Sequence, residues 1–94
     1  MEPIVITAIL KAKENMEEQL LAELIKVQEG SRAEAGCLNY DLHQSIEDGT
    51  FVLHETWKDN DALESHVGSS HYQEYRTNTA DLLSKREVYK LKAI

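Results

Sequence analysis

The sequence predicts an α+β fold with elements in the order β-α-β-β-α-β. Three observations carry this. A β-branched run opens the chain, a helical stripe of apolar residues follows it, and two alternating segments flank Asp48-Gly49. With 94 residues and 10.7 kDa, residues 1–94 are expected to form a single domain.

Residues 4–12 read as the first strand, being rich in β-branched residues and short for a helix. Ile4, Ile6, Ala8 and Leu10 point one way, and Val5, Thr7 and Ile9 the other. Both faces are largely apolar, so both are expected to be covered. Asn15 reads as an N-cap with Glu18 at the capping-box position. Met16, Leu20, Leu24 and Val27 then recur at helical spacing, predicting a helix from about Met16 to Ala35 that Gly36 ends in a left-handed turn. Gly30 suggests a bend within it. In residues 37–45, Leu38, Tyr40 and Leu42 are expected inside, and Asn39, Asp41 and His43 outside. Asp48-Gly49 marks a hairpin. The return strand, 50–57, places Phe51, Leu53, Glu55 and Trp57 on one face and Val52, His54 and Thr56 on the other. Asp59 or Asn60 caps a short helix, 61–67. Gly68-Ser69-Ser70 interrupts it, and Ser69 or Ser70 can cap a second helix, 71–84, that buries Tyr72, Tyr75, Thr79, Leu82 and Leu83. Residues 87–94 close the order as a strand. This is a ferredoxin-like arrangement, a four-stranded antiparallel sheet with helices on one face.

Composition narrows the function classes. Ten Lys and Arg stand against seventeen Asp and Glu, a net charge of −7, so no nucleic-acid partner is expected. No stretch approaches the roughly 20 apolar residues of a membrane span, and the first residues lack a signal-peptide pattern. A cytoplasmic protein is expected. The single cysteine, Cys37, excludes an intrachain disulfide and reads as a small core residue. A domain this small buries a modest fraction of its surface, and the helix-free sheet face has apolar residues of its own. A homodimer formed through the sheet faces would supply the missing core.

No phosphate-binding glycine loop, nucleophile elbow or zinc-protease motif is present. Chemistry centres on the histidines and their surroundings. His66 and His71 straddle the break at Gly68-Ser69-Ser70. Five-residue spacing does not place them on one face of a helix, so no metal pair is expected. The break can instead bring His66, His71 and Tyr72 around one pocket mouth. Glu55 is a carboxylate on an otherwise apolar strand face beside Trp57. It must reach solvent, find a partner or raise its pKa. Arg76, one turn beyond Tyr72, offers an anion contact. His43 and His54 lie on the opposite sheet face or its rim.

The segment from Arg32 to Leu42, then Phe51-Val-Leu-His-Glu55-Thr-Trp57, then Ala62-Leu63, His66 and Ser70-His71-Tyr72, resembles the antibiotic biosynthesis monooxygenase family. The resemblance implies a dimeric α+β barrel in which two ferredoxin-like sheets pack face to face. It also implies oxidation of a small quinol or polyphenolic aromatic substrate by O₂ without metal or flavin. Carried onto this chain, Trp57 forms a pocket wall and His66 transfers a proton. His71 and Tyr72 hydrogen-bond a substrate oxygen, and Glu55 orients one of them. Tyr75 and Arg76 complete the expected substrate contacts. Polyketide-tailoring members use a pocket Asn where this chain has Leu53. Haem-degrading members need a first-strand Asn and an axial His; this first strand has no Asn, and the equivalent helix region carries Arg76. Short members that isomerise a phosphorylated signal share the His/His-Tyr segment. Two alternatives therefore stand beside the monooxygenase: a proton-shuttling isomerase of a phosphorylated carbonyl compound, and a non-enzymatic dimer that binds a small molecule.

Overall fold

A computed structural model describes residues 2–94. The order is β1 (Ile4–Ala12), α1 (Glu17–Arg32), β2 (Cys37–Gln44), β3 (Phe51–Trp57), α2 (Asn60–Val67), α3 (Ser70–Thr79) and β4 (Leu83–Leu91). The four strands form one antiparallel sheet in the order β2-β3-β1-β4. This is the ferredoxin-like fold, with the second helix divided in two.

Strand alternation decides which side chains meet the helices. Ile6, Ala8 and Leu10 are buried, as are Phe51, Leu53, Glu55 and Trp57, whereas Val5, Thr7 and Ile9 face away and are half-buried. The inner face packs on Leu20, Leu24 and Val27 of α1, Leu63 of α2 and Tyr75 of α3. Its register forms three rows across the sheet: Lys90–Ile6–Glu55–Tyr40, Val88–Ala8–Leu53–Leu42 and Arg86–Leu10–Phe51–Gln44. At the edge strand β2, Gln28 Oε1 accepts the Leu42 N–H and Arg32 Nε donates to the Tyr40 carbonyl. These bonds satisfy edge groups that would otherwise stay open.

Several boundaries differ from the expectation for identifiable reasons. Asn15 is not the N-cap. It adopts a left-handed conformation (φ 67°), and Met16 occupies the cap without a side-chain bond. Helix α1 continues without a break through Gly30 but stops at Arg32, where tight turns from Ser31 to Glu34 and from Glu34 to Cys37 take over. Gly36 is not left-handed; Gly49 of the Asp48-Gly49 hairpin is (φ 77°). Leu38 is exposed rather than inward, because the β2–β3 register shifts between Cys37 and Asn39. Cys37 is half-buried. Asp59 and Ser69 cap α2 and α3 as expected. The last strand begins at Leu83 rather than Glu87, so Leu82 and Leu83 leave the expected helix. Thr79 Oγ1 bonds back to the Tyr75 carbonyl, and a turn then delivers Leu83 opposite Ala12. An edge strand bearing Ser84-Lys85-Arg86-Glu87 has little apolar alternation to announce it.

Gly36 serves a close approach. A Cβ there would collide with the Ala62 side chain of α2, and the Gly36 carbonyl accepts the Lys58 N–H at 2.9 Å. Gly36→Ala is expected to lower stability by about 1–3 kcal/mol, as overpacking does. Urea denaturation reads this, and an unchanged midpoint would show that α2 yields freely.

Candidate active site

The break between α2 and α3 gathers the histidines. His66 lies three residues after Leu63 on the buried side of α2 and is 2% exposed. Its carbonyl accepts from both Ser69 N–H and Ser69 Oγ, while Ser69 Oγ accepts the Tyr72 N–H. Ser69 thus ends one helix and starts the next, turning His71 and Tyr72 back toward His66. The ring centroids of His71 and Tyr72 lie 5.9 Å and 4.9 Å from that of His66.

One residue that sequence reasoning missed organises the group. Glu34, in the turn after α1, places a single oxygen, Oε2, 2.7 Å from both His66 Nδ1 and His71 Nε2. Glu34 continues the spacing of the buried Val27 and Ser31, and that i, i+4, i+7 series was the available signal. An ionised carboxylate only accepts hydrogen bonds, so this contact assigns the proton of neutral His66 to Nδ1 and leaves Nε2 as an open acceptor.

Nε2 faces the second carboxylate. Glu55 Oε1 lies 3.9 Å away, too far for a direct hydrogen bond, and accepts instead from Trp57 Nε1 at 3.0 Å. Trp57 stacks on the His66 ring with centroids 4.2 Å apart. Burial pushes the Glu55 pKa up to about 7, against the opposing Trp57 hydrogen bond and with help from the Glu34 charge. Burial also lowers the His66 pKa, outweighing the Glu34 contact that raises it. A weakly basic, neutral imidazole and a carboxyl that titrates near neutrality therefore share one end of the site.

A cavity of about 190 Å³ opens from these groups. It is lined by Ile6, Ala8, Leu53 and Leu63 with Tyr40, Glu55, His66, Tyr72, Tyr75 and Val88, and Arg86 and Lys90 of β4 lie at its rim. The small Ala8, in the middle row, leaves room on the sheet floor. Glu55, His66, Tyr72 and Tyr75 thus line the cavity as expected. Trp57 does not form its wall; the fully buried ring lies behind Glu55 and His66. His71 is also off the cavity, held on the far side of His66 by Glu34. Arg76 lines a neighbouring groove with Thr79, Leu83, Lys85 and Arg86, and its Nη1 donates to Tyr72 Oη at 3.4 Å. Burial raises the Cys37 pKa, which suits a packing role and not a nucleophile.

Glu34, His66 and His71 are the residues here able to hold a metal. Their donor atoms lie within 4.8 Å of one another, and two imidazoles with a carboxylate suit a transition metal. Helical spacing alone did not foresee this grouping, because the chain turns between the histidines. The 2.7 Å contacts are themselves complete as hydrogen bonds.

The chain is thus an α+β protein of the ferredoxin-like class whose buried His–carboxylate group opens into an apolar cavity. The family model for antibiotic biosynthesis monooxygenases matches residues 3–78, and the chain belongs to that family. It is 38% identical over 82 residues to "Putative monooxygenase YcnE" of Bacillus subtilis, covering 86% of each chain. It is 35% identical over 83 residues to "Putative monooxygenase Rv0793" of Mycobacterium tuberculosis, covering 88% of this chain and 82% of that one. The crystal structure of PA3566 from Pseudomonas aeruginosa superposes with a TM-score of 0.94 at 35% identity, over 100% of this chain and 96% of the other. No helix is long and apolar enough to cross a membrane among the described residues.

The buried carboxyl has a thermodynamic signature. A carboxyl whose pKa rises from 4.5 to about 7 on folding favours the folded state in its protonated form. That stability is fully present below pH 4.5 and is lost as pH rises through about 7, to a limit of about 3 kcal/mol. Glu55→Gln removes the dependence. The stability difference between wild type and E55Q, from urea denaturation across this range, is expected to shift toward the variant as pH rises. Trp57→Phe deletes the one hydrogen bond lowering the Glu55 pKa and should carry the loss to higher pH. A flat difference would mean that Glu55 titrates as in water.

Proposed function

We propose that this chain is a monooxygenase that oxidises a small quinol or polyphenolic aromatic substrate with O₂, needing neither metal nor flavin. The observation that carries the reading is the His66 Nε2–Glu55 Oε1 gap of 3.9 Å at the end of an otherwise largely apolar cavity. One substrate oxygen can lie about 2.8 Å from both atoms. Family membership supports the monooxygenase class.

In this reading His66 takes the phenolic proton at Nε2. The Glu34 carboxylate stabilises the resulting imidazolium through Nδ1, as the acid of a Ser-His-Asp triad does for its histidine. Glu55 gives or takes a second proton near neutral pH. Tyr72 donates a hydrogen bond to a substrate oxygen, and Tyr75 with Leu53 and Ile6 holds the ring. The electron-rich anion then reacts with O₂. One oxygen atom enters the product and the other leaves as water, so a quinol plus O₂ gives a hydroxyquinone plus H₂O. The apolar lining keeps bulk water from the anion.

Oxygen uptake by metal-stripped protein, with a panel of quinols and anthrone-like compounds, should exceed autoxidation. His66→Ala should lower it about 10²-fold or more, the usual weight of a general base. Glu34→Gln should cost about tenfold or more, as loss of an orienting partner does. No uptake across the panel would overturn the monooxygenase reading. Turnover of a carbonyl compound without O₂ would replace it by the isomerase.

We also propose that two copies pair through the helix-free sheet face. Val5, Ile9 and Val52 are half-buried there, and Tyr89 and Leu91 are 46% and 45% exposed. A second copy would cover these apolar side chains, which no helix of this chain covers. Sedimentation at micromolar concentration should give twice 10.7 kDa; a stable monomer would remove the pairing.

A further inference from the structure

The cavity has a carboxyl at one end and a guanidinium at the other. Glu55 lies in the sheet row that contains Ile6 and Lys90, while Arg86 lies two rows away, beyond Val88 and Ala8. Four residues of strand separate positions 86 and 90, about 13 Å at a rise of about 3.3 Å per residue. Arg86 lines both the cavity and the adjoining groove that holds Arg76 and Lys85.

Lys85 is bound by Glu87 at 3.0 Å, and Lys90 Nζ donates to Asn60 Oδ1 at 3.3 Å. Among the described residues, the cavity and groove cations Arg76, Arg86 and Lys90, like Lys11, Lys13, Lys58 and Lys92, have no carboxylate within ion-pair distance; Lys90 is held by Asn60, which leaves the two guanidiniums open to an anion. Arg76 is oriented by Tyr72 Oη. Both guanidiniums also act on the buried Tyr75 hydroxyl, where they oppose the rise in its pKa that burial causes.

We propose that the Arg86 end of the cavity, with Arg76 beside it, is an anion subsite, and that the natural ligand is an aromatic acid. Its body is one or two fused rings, with a hydroxyl at one end and a carboxylate at the other. A cavity of about 150 Å³ accepts one benzene ring, so about 190 Å³ with an open rim suits this size. The reverse orientation would set the carboxylate against Glu55 at the His66 end, where the one cation of that sheet row, Lys90, is engaged by Asn60. Arg86 thereby orients the hydroxyl toward His66 Nε2, and a guanidinium is suited to a bidentate carboxylate.

The inference rests on the cavity being the substrate site. Its test is binding, measured apart from turnover. Calorimetry without O₂ compares a dihydroxynaphthoate with the matching dihydroxynaphthalene. The acid should bind at least tenfold tighter, and added salt should narrow the gap. Arg86→Gln should abolish the preference. Lys26→Gln, which removes an exposed cation on α1, should retain it. Equal affinity for the two compounds, a preference that survives R86Q, or no binding of either below millimolar concentration would overturn the subsite. Oxygen uptake with the same compounds separates the two proposals. A preferred acid that consumes no O₂ removes the monooxygenase reading and leaves the subsite. Uptake without preference for the acid does the reverse.

Discussion

A single oxygen atom, Glu34 Oε2, holds the site together. It lies at the turn between α1 and β2, and the two imidazoles it binds come from either side of the α2–α3 break. The ends of α2 and α3 therefore meet at an acceptor 32 and 37 residues earlier in the chain. The same contact fixes which nitrogen of His66 carries the proton. Helix α1 is shaped around this meeting. A Cβ at Gly30 would approach His71 Cγ to 2.7 Å, so the glycine that weakens the helix makes room for the second imidazole. The helix continues through it because tertiary packing outweighs the propensity cost of one glycine, about 1 kcal/mol.

What could be read from the sequence follows from periodicity. The three strands that alternate, the stripe of α1, and the caps Asp59 and Ser69 were legible because one buried face or one local bond dictates each of them. The last strand was legible from Glu87 but not its start at Leu83, since the edge segment Ser84-Lys85-Arg86 has almost no apolar alternation. The site was legible where residue type broke its pattern. Glu55 on an apolar strand face is such a break, and so is a His-rich segment across a glycine. Glu34 kept its place in the helical stripe and raised no such signal. Trp57 illustrates the limit of reading a face: alternation put it beside Glu55 correctly, but only the packed structure shows its ring behind the cavity, stacked on His66.

Glu55 and Trp57 show how the fold tolerates a carboxyl that it does not neutralise with a cation. The indole N–H supplies one hydrogen bond, and among the described residues no lysine or arginine lies within ion-pair distance of Glu55. A salt bridge would have lowered the pKa into the ordinary carboxylate range and removed its use as a proton donor near neutral pH. The cations nearest the cavity are kept on β4 instead, at its rim. This separation gives the net charge of −7 a finer meaning, because the acidic surface is not uniform where a ligand would enter.

The cost of that arrangement bears on assembly. Burying Glu55 costs about 3 kcal/mol above its pKa, a large share of the roughly 5–15 kcal/mol that stabilises a typical domain. This chain is small, so it buries a lower fraction of its surface than a larger protein would. Pairing through Val5, Ile9, Val52, Tyr89 and Leu91 would add apolar burial on the face opposite the site, without touching the cavity. Under that proposal the sheet divides its labour by alternation. The residues at 6, 8, 53, 55 and 88 shape the cavity, and their immediate neighbours along the same strands hold the partner. Stability and chemistry then differ only in which way a side chain points from one backbone. A substitution on the outer face can therefore weaken assembly while leaving the spacing of His66 and Glu55 unchanged.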